Sequence, residues 1–222
     1  MVASANIKRW KYPRTFHLPC SLTKSDDDKR LSSDSHLFEL DEVAISPKMD
    51  GENTTVYPDG YIHARSIDGS KHEWQDLLKA DIQRWCRDIP DGWRVCGENL
   101  WPRHSIAYHF HSKLDFFQVF SIWNGDACLS WSETEQWCRL LGVKMVPTLY
   151  LGKWLGEKRA LEVFKDFASK QEDEVEGFVV RSSGEFLYSD FKNNVAKFVR
   201  ANHVQTDEHW TSHWKPNELV ER

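Results

Sequence analysis

One lysine stands where an apolar stretch meets an Asp-Gly pair. The stretch "VAISPKMDGENTTVYPDGYIHAR" runs from Val43 to Arg65, and Lys48 opens its "KMDG". A lysine in a cleft becomes a nucleophile when nearby cations or partial burial lower its pKa, because both disfavour the ammonium form. Four letters recur by chance, so the motif alone is weak, and an exposed lysine at a strand end is the alternative interpretation.

Further charged residues could lower the pKa of Lys48 and bind the phosphate that it would attack. Arg65, Lys192 and Lys197 are the candidate cations near Lys48, together with a bound metal. The same positive charges would neutralise the oxygens of a phosphate, the electrophile that the amine would attack. Glu98 and Glu176 suit ribose hydroxyls or Mg²⁺, which prefers oxygen ligands. This set of residue types indicates chemistry at phosphorus.

Short strands, hairpins and a few helices must position these side chains. Alternating segments predict strands at 43–46, 53–57, 61–66, 93–101, 116–123, 175–182, 185–191 and 194–200. Helical periods predict helices at 71–89, 132–141 and 156–169, the second opened by a capping box in "SETE" from Ser132 to Glu135 and closed by Gly142. Mixed helices and hairpin-linked strands indicate an α+β fold with antiparallel sheets flanked by helices.

Composition narrows the class of protein. The 222 residues with 40% hydrophobic content fit one soluble domain, 1–222, with 1–40 as a lead-in segment and 201–222 as a C-terminal tail. A net charge of −5 gives no general attraction to nucleic acid, so a polyanion would have to meet a local basic patch. No signal sequence or membrane span is visible, which predicts a cytoplasmic protein without membrane contact. The five cysteines contain no C-x-x-C pair and are expected to be reduced.

The order of the short blocks resembles the covalent nucleotidyltransferases, the superfamily of DNA ligases, RNA ligases and mRNA capping enzymes. "KMDG" looks like the motif with the nucleophilic lysine, and "ARS" looks like the arginine motif that follows it. "CGENLW", "FFQVFSIW", "VEGFVVR" and "VAKFVR" resemble the later motifs in the family's order. The resemblance spans residues 43–200 and is closest to ATP-dependent RNA ligases, which "YPRTFHLP" and "ANHVQTDEHW" also resemble. It implies a nucleotidyltransferase (ATP-grasp-like) ligase domain.

The resemblance also implies roles for individual residues. Lys48 would carry AMP and Lys197 would contact the α-phosphate, while Glu98 and Arg65 would address the ribose. Phe117 would stack on adenine, with Phe120 as the alternative, and Glu176 would hold the metal. The remaining nucleotide-binding candidates are Asp50, Gly51, Asn53, Lys192 and Arg200. The family usually carries two lysines flanking one residue in its last motif, whereas this chain has Val199 after Lys197, so Lys192 or Arg200 would supply the second cation.

The implied reaction is ATP-dependent joining of RNA ends, with Mg²⁺ or Mn²⁺, through a lysyl-AMP intermediate and an RNA-adenylate. Only 22 residues follow Arg200, too few for the OB domain that DNA ligases and capping enzymes add. A minimal DNA-nick ligase and a catalytically silent nucleic-acid-binding module remain alternatives. A separate end-healing enzyme is a possible partner. The basic and aromatic residues of "KRWKYPRTFH" suit single-stranded RNA or a solvated basic end equally.

Overall fold

A computed structural model describes residues 8–21, 29–67, 72–201 and 214–220. The strands in chain order are β1 (Phe16–His17), β2 (Val43–Lys48), β3 (Glu52–Val56), β4 (Ile62–His63), β5 (Trp93–Asn99), β6 (Pro102–Arg103), β7 (His109–Phe110), β8 (Phe117–Asn124), β9 (Ala127–Cys128), β10 (Lys144–Met145), β11 (Tyr150–Gly152), β12 (Gly177–Ser182), β13 (Phe186–Leu187), β14 (Val195–Val199), β15 (Lys215–Pro216) and β16 (Glu218–Leu219). The helices are α1 (Asp76–Ile82), α2 (Trp131–Leu141), α3 (Glu157–Ala168) and α4 (Phe191–Asn194), with short 3-10 turns at Ser35–Glu39, Glu73–Gln75, Cys86–Asp88, Lys113–Phe116 and Tyr188–Asp190.

Two larger sheets face each other across a cleft. The first sheet has the strand order β1-β14-β12-β2-β11, and the second has the order β13-β9-β8-β5-β3-β4, with β10 paired to β8. Both are antiparallel except for two parallel pairs, β1 with β14 and β10 with β8. The α+β prediction with antiparallel sheets is therefore confirmed. In the described part of the chain no β-barrel follows β14.

Helices cover the outer faces of the two sheets. Leu78 and Ile82 of α1 and Cys138 and Leu141 of α2 pack in one apolar cluster on the second sheet. Ala160 and Phe164, four residues apart on α3, pack in another on the first sheet. A third cluster joins the sheets at one end of the cleft, with Trp123, Phe186 and Val195 among its members. The cleft therefore opens between two walls that are each backed by a packed core.

The ends of α2 follow their sequence signals, with one correction. The capping box is formed by Ser130 and Glu133, two residues earlier than the predicted Ser132 to Glu135. Ser130 lies in extended backbone directly before the first helical residue, the position from which its hydroxyl reaches the Glu133 amide. Gly142 ends the helix at φ 65°, as predicted, in the left-handed region that glycine tolerates.

The predicted helix at 71–89 is shorter than its apolar period indicates. Only Asp76–Ile82 is α-helical, flanked by the 3-10 turns at Glu73–Gln75 and Cys86–Asp88. Trp74 and Trp85 are nevertheless buried, and Trp85 packs with Leu78 and Ile82 in the apolar cluster on the second sheet. No helix in the described residues is long and apolar enough to cross a bilayer.

Candidate active site

A cavity lies in the cleft between the two sheets. It holds about 980 Å³ of space when its open mouth is included. Both sheets contribute to its lining, and the N-terminal segment closes one side with Tyr12, Pro13 and Thr15. Five of the predicted site residues line it, namely Lys48, Asn53, Arg65, Glu98 and Lys197, and Glu176 hydrogen bonds to Lys48.

Lys48 lies at the end of β2, where pairing with β12 brings it beside Glu176. Lys48 is paired with Gly177 in the ladder, so Glu176 directly precedes its strand partner. The Lys48 Nζ donates to Glu176 Oε2 at 2.5 Å and to the Met49 carbonyl at 3.4 Å. The side chain of Glu176 is almost fully buried, while that of Lys48 is about one quarter exposed to the cleft. The two strands thus hold an amine at the cleft surface against a buried carboxylate.

The charges around Lys48 differ from the predicted ones. Burial disfavours its ammonium form, but Glu176, Glu98 and Asp50 outweigh this effect and raise the lysine pKa above its ordinary value. The prediction of a lowered lysine pKa is therefore wrong. Glu176 is the main charge that stabilises the ammonium form, so removing the lysine proton requires that charge to be neutralised.

Burial has the larger effect on the pKa values of the carboxylates of the site. Desolvation raises the pKa of Glu98 to about 8, against the opposing effect of Lys48. Burial also raises the pKa of Glu176 above its ordinary value, although Lys48 lowers it. Their oxygens are the ligand type that Mg²⁺ and Mn²⁺ prefer. The described residues contain no group of three or more His, Cys, Asp or Glu side chains arranged to hold a metal.

Asp50 and Gly51 shape the loop after Lys48 and do not line the cleft. The Asp50 carboxylate accepts hydrogen bonds from the Ser105 amide and hydroxyl and from the Ile106 amide, at 2.6–2.9 Å. The Gly51 amide donates to Glu98 Oε1. A Cβ at Gly51 would lie 2.5 Å from the Asn99 carbonyl, so only glycine fits this close approach. Asp50 and Gly51 therefore fix the loop after Lys48, and their contact with nucleotide stays a prediction.

Phe120 faces the cleft, and Phe117 does not. Phe117 lies in the core beside Trp85, with ring centroids 6.1 Å apart, so its predicted place against the base is wrong. Between Gly97 and Cys96 of β5 the partner on β8 jumps from Val119 to Ser121, which leaves Phe120 as the bulged residue. The bulge directs both Phe120 and Ser121 into the cleft. Phe120, the alternative named from the sequence, is therefore the phenylalanine that lines the cleft.

The cations of the last motif are divided between the cleft and the surface. Lys197 lies on β14 and lines the cleft. Lys192 is exposed on α4, and Arg200 pairs with Glu174 and donates to the Val175 carbonyl. Neither lines the cleft, so the role of second cation stays a prediction for both.

Arg181 is a cleft residue that sequence reasoning missed. It is 4% exposed, its Nε and Nη2 donate to the carbonyls of Ser182 and Leu129, and its Nη1 has no hydrogen-bond partner among the described residues. The guanidinium lies over the rings of Trp131 and Phe186 at 5.5 and 5.1 Å. Strand alternation is the signal that the sequence offered. Arg181 is two residues after Val179 on β12, so the two side chains face the same side of the sheet, and both line the cleft.

The N-terminal basic and aromatic residues pack on the domain. Arg9 lies over the rings of Tyr57 and Tyr61 and pairs with Asp59, while Lys8 lies over Trp10. These contacts occupy side chains for which RNA binding was one expectation. The "ANHVQTDEHW" segment lies almost entirely outside the described residues.

Two opposed sheets with a cleft between them form a fold that solved ligases share. A protein described provisionally as an ATP-dependent DNA ligase of Aquifex aeolicus has this fold, with a TM-score of 0.57 and 19% identity over 86% of this chain and 50% of its own. An archaeal ATP-dependent RNA ligase has a TM-score of 0.55 and 15% identity over 85% of this chain and 48% of its own. A variant of the Naegleria gruberi RNA ligase, with ATP and Mn, has a TM-score of 0.52 and 16% identity over 87% and 63%.

The sequence profile of the RNA ligase family matches residues 41–199, and the chain belongs to that family. The resemblance drawn from the ordered motifs is thereby confirmed. No curated protein matches the chain in sequence. The chain spans about half to three fifths of the length of the similar solved structures.

Proposed function

We propose that this protein is an ATP-dependent RNA ligase that joins a 5′-phosphate to a 3′-hydroxyl with Lys48 as the AMP carrier. The observation that carries the proposal is the pairing of Lys48 at the cleft surface with the buried Glu176, in a chain of the RNA ligase family. The Naegleria neighbour that has ATP and Mn supports ATP and a divalent cation as the requirements.

The first step forms a bond between Lys48 Nζ and the α-phosphorus of ATP and breaks the bond to the bridging oxygen, so pyrophosphate leaves. In the second step an oxygen of the RNA 5′-phosphate displaces the lysine and takes the AMP. In the third step a 3′-hydroxyl attacks the RNA phosphorus and AMP departs. Each step exchanges one bond to phosphorus for another, so the protein contributes mainly positioning and charge neutralisation.

Lys48 must lose its proton before it attacks. Glu176 holds that proton in a 2.5 Å hydrogen bond and favours the ammonium form. A bound Mg²⁺ or Mn²⁺ would supply positive charge against Glu176 and Glu98 and so favour the free amine. In this proposal Glu98 also orients the Lys48 loop through its bond to the Gly51 amide.

The other cleft residues divide between the phosphate and the nucleoside. Lys197 would neutralise the α-phosphate, and Arg65 at the cleft mouth would address the ribose. Phe120 would stack on adenine, with Val179 from the first sheet also lining that part of the cleft. Asn53, whose Oδ1 is buried without a partner among the described residues, has an acceptor left for a ligand hydroxyl or amine.

The decisive experiment is incubation with Mg²⁺ and ATP labelled at the α-phosphate, after pyrophosphate treatment to remove any pre-bound AMP. Wild type should gain acid-stable label and Lys48→Ala should gain none. Lys170→Ala, which removes an exposed lysine just after α3, is the matched control and should label as wild type does. Label on Lys48→Ala, or RNA binding by wild type without any label with ATP or GTP, would contradict the proposal and favour a silent binding module.

The Aquifex neighbour favours DNA-nick sealing as a second candidate, because its provisional description is that of a DNA ligase. Nicked duplexes with a ribose or a deoxyribose 3′-hydroxyl, otherwise identical, separate the two. An RNA ligase seals the ribose end faster, whereas equal rates on both ends support the DNA ligase. Ends carrying a 5′-hydroxyl or a 3′-phosphate should not be joined until kinase and phosphatase are added, which is the test for a separate end-healing partner.

A further inference from the structure

The C-terminal segment 214–220 returns to the loop that supports the Lys48 motif. Lys215 and Pro216 of β15 pair with β6, and Glu218 and Leu219 of β16 pair with β7. Backbone bonds run from Asn217 to the Trp101 carbonyl at 2.8 Å and from Val220 to the Phe110 carbonyl at 2.8 Å. The segment therefore pairs with both ends of residues 101–110, through one short strand on each side of Asn217.

Asn217 is the buried centre of this contact. It is 3% exposed, although the residues on each side of it are exposed. Its Oδ1 accepts from the Tyr108 amide at 2.9 Å, and its Nδ2 donates to the Leu100 carbonyl at 2.7 Å. One amide side chain thus ties together two points of the loop that are eight residues apart. A buried amide with partners at both ends fixes geometry more strongly than an apolar contact does.

Tyr108 passes this constraint to the nucleophile motif. Its ring is buried beside Phe110, and its hydroxyl accepts from the Asp50 amide at 2.9 Å. The carboxylate of Asp50 is held by the same loop, through Ser105 and Ile106. Asp50 is two residues from Lys48, so both its amide and its side chain depend on where the 100–110 loop lies.

We propose that Asn217 is a positioning residue for Lys48, and that segment 214–220 holds the loop of residues 100–110 in the place that sets the backbone of Met49 to Gly51. This inference rests on the proposed function for its catalytic consequence but not for its structural part. Asn217 touches neither the cleft nor Lys48, and it acts through Tyr108 and Asp50. A misplacement of about 1 Å at a nucleophile costs about 100-fold in rate.

Three variants of the full chain test the proposal. Asn217→Ala removes both side-chain bonds, and Tyr108→Phe removes only the acceptor for the Asp50 amide. Trp154→Phe is the matched control, because it removes one buried donor, to Asp34, in the cluster on the far side of the first sheet. All three lose a buried hydrogen bond, so they are compared at equal fractions folded.

The first readout is hydrogen exchange at the amides of residues 49–51, which needs no catalysis. Exchange should be about tenfold faster in Asn217→Ala and Tyr108→Phe and unchanged in Trp154→Phe. Unchanged exchange in Asn217→Ala, or equal acceleration in Trp154→Phe, overturns the proposal. If Asn217→Ala does not fold, Tyr108→Phe decides the same question.

The second readout is the rate of adenylation of Lys48 by ATP. The maximal rate should fall about 10- to 100-fold in Asn217→Ala while the KM for ATP changes by less than about threefold, because the cleft lining is untouched. A loss that is equal in the Trp154→Phe control reflects stability alone and overturns the positioning role. If wild type itself does not adenylate, the proposed function fails, and the exchange experiment still decides whether Asn217 controls the Lys48 loop.

Discussion

The two walls of the cleft present their residues in different ways. In the first sheet, β2 and β12 pair without interruption from Lys48 with Gly177 to Val43 with Ser182, and the alternate residues Val179 and Arg181 of β12 line the cleft. In the second sheet, the bulge on β8 breaks the alternation and turns two consecutive residues, Phe120 and Ser121, toward the cleft. The regular wall carries Lys48 and Lys197, and the bulged wall carries the aromatic ring. A regular strand is readable from its sequence, whereas a bulge depends on packing between strands.

The largest expected effect is the difference between substitutions of Phe117 and Phe120, which lie on opposite faces of β8. Phe117→Ala should lower the free energy of unfolding by about 3–5 kcal/mol, because it leaves a cavity in the core beside Trp85. Phe120→Ala should cost less stability and should raise the KM for ATP about tenfold through the lost stacking surface. Denaturant titration and adenylation kinetics on both variants measure the contrast. A weaker ATP affinity in Phe117→Ala than in Phe120→Ala at equal fraction folded would reverse the assignment of the faces.

The next effect concerns the buried partner of Lys48 on the regular wall. Glu176→Gln keeps the size of the side chain but removes its charge, and we expect adenylation to fall about 10²- to 10³-fold. The pKa of Lys48 should also fall toward its ordinary value, because Glu176 is the main charge that raises it. Single-turnover labelling with ATP measures the first effect. Glu174→Gln, an exposed carboxylate paired with Arg200, is the control and should retain the wild-type rate.

A smaller effect tests the division of cations in the last motif. Lys197→Ala should lower adenylation about 10- to 100-fold, which corresponds to the 1.5–3 kcal/mol of a hydrogen bond to a charged group. Lys192→Ala removes an exposed lysine outside the cleft and should change the rate by less than about twofold. Both are measured at saturating and at limiting ATP. A larger loss in Lys192→Ala would mean that α4 closes toward the nucleotide.

Much of this site was predictable because its residues lie on regular strands or at their ends. Lys48, Glu98 and Lys197 were predicted from strand position and motif order, and the structure brings all three to the cleft region. Phe117 and Phe120 differ in parity and so lie on opposite faces, but nothing local in the sequence says which face is the cleft. The direction of the Lys48 pKa shift was missed because it depends on carboxylates distant in sequence. Arg181 was missed because a strand-end arginine is usually exposed.

The smallest expected effect is a pH dependence of the free energy of unfolding, which arises from the carboxyl groups of Glu98 and Glu176. Burial raises the pKa of Glu98 to about 8 in the folded chain, above the unfolded value near 4.5. The folded state therefore binds more protons than the unfolded state between these values, so stability falls as the pH rises from about 5 to 8. Glu176 acts in the same direction. The raised pKa of Lys48 acts only at alkaline pH, where its contribution is lost as the pH passes the folded value.

Glu98→Gln should flatten this decline, because it removes one of the two groups responsible. One proton contributes at most about 1.4 kcal/mol per pH unit, so the slope of the unfolding free energy between pH 5 and 8 should change by less than that. Denaturant titrations at pH 5, 6.5 and 8 measure it, with the exposed Glu172→Gln as the control that keeps the wild-type slope. A wild-type stability that rises over this interval would show that the carboxylates of the cleft are ionised in the free protein. The ammonium of Lys48 would then be held by full charges, and its deprotonation would depend still more on neutralisation by the cation that arrives with ATP.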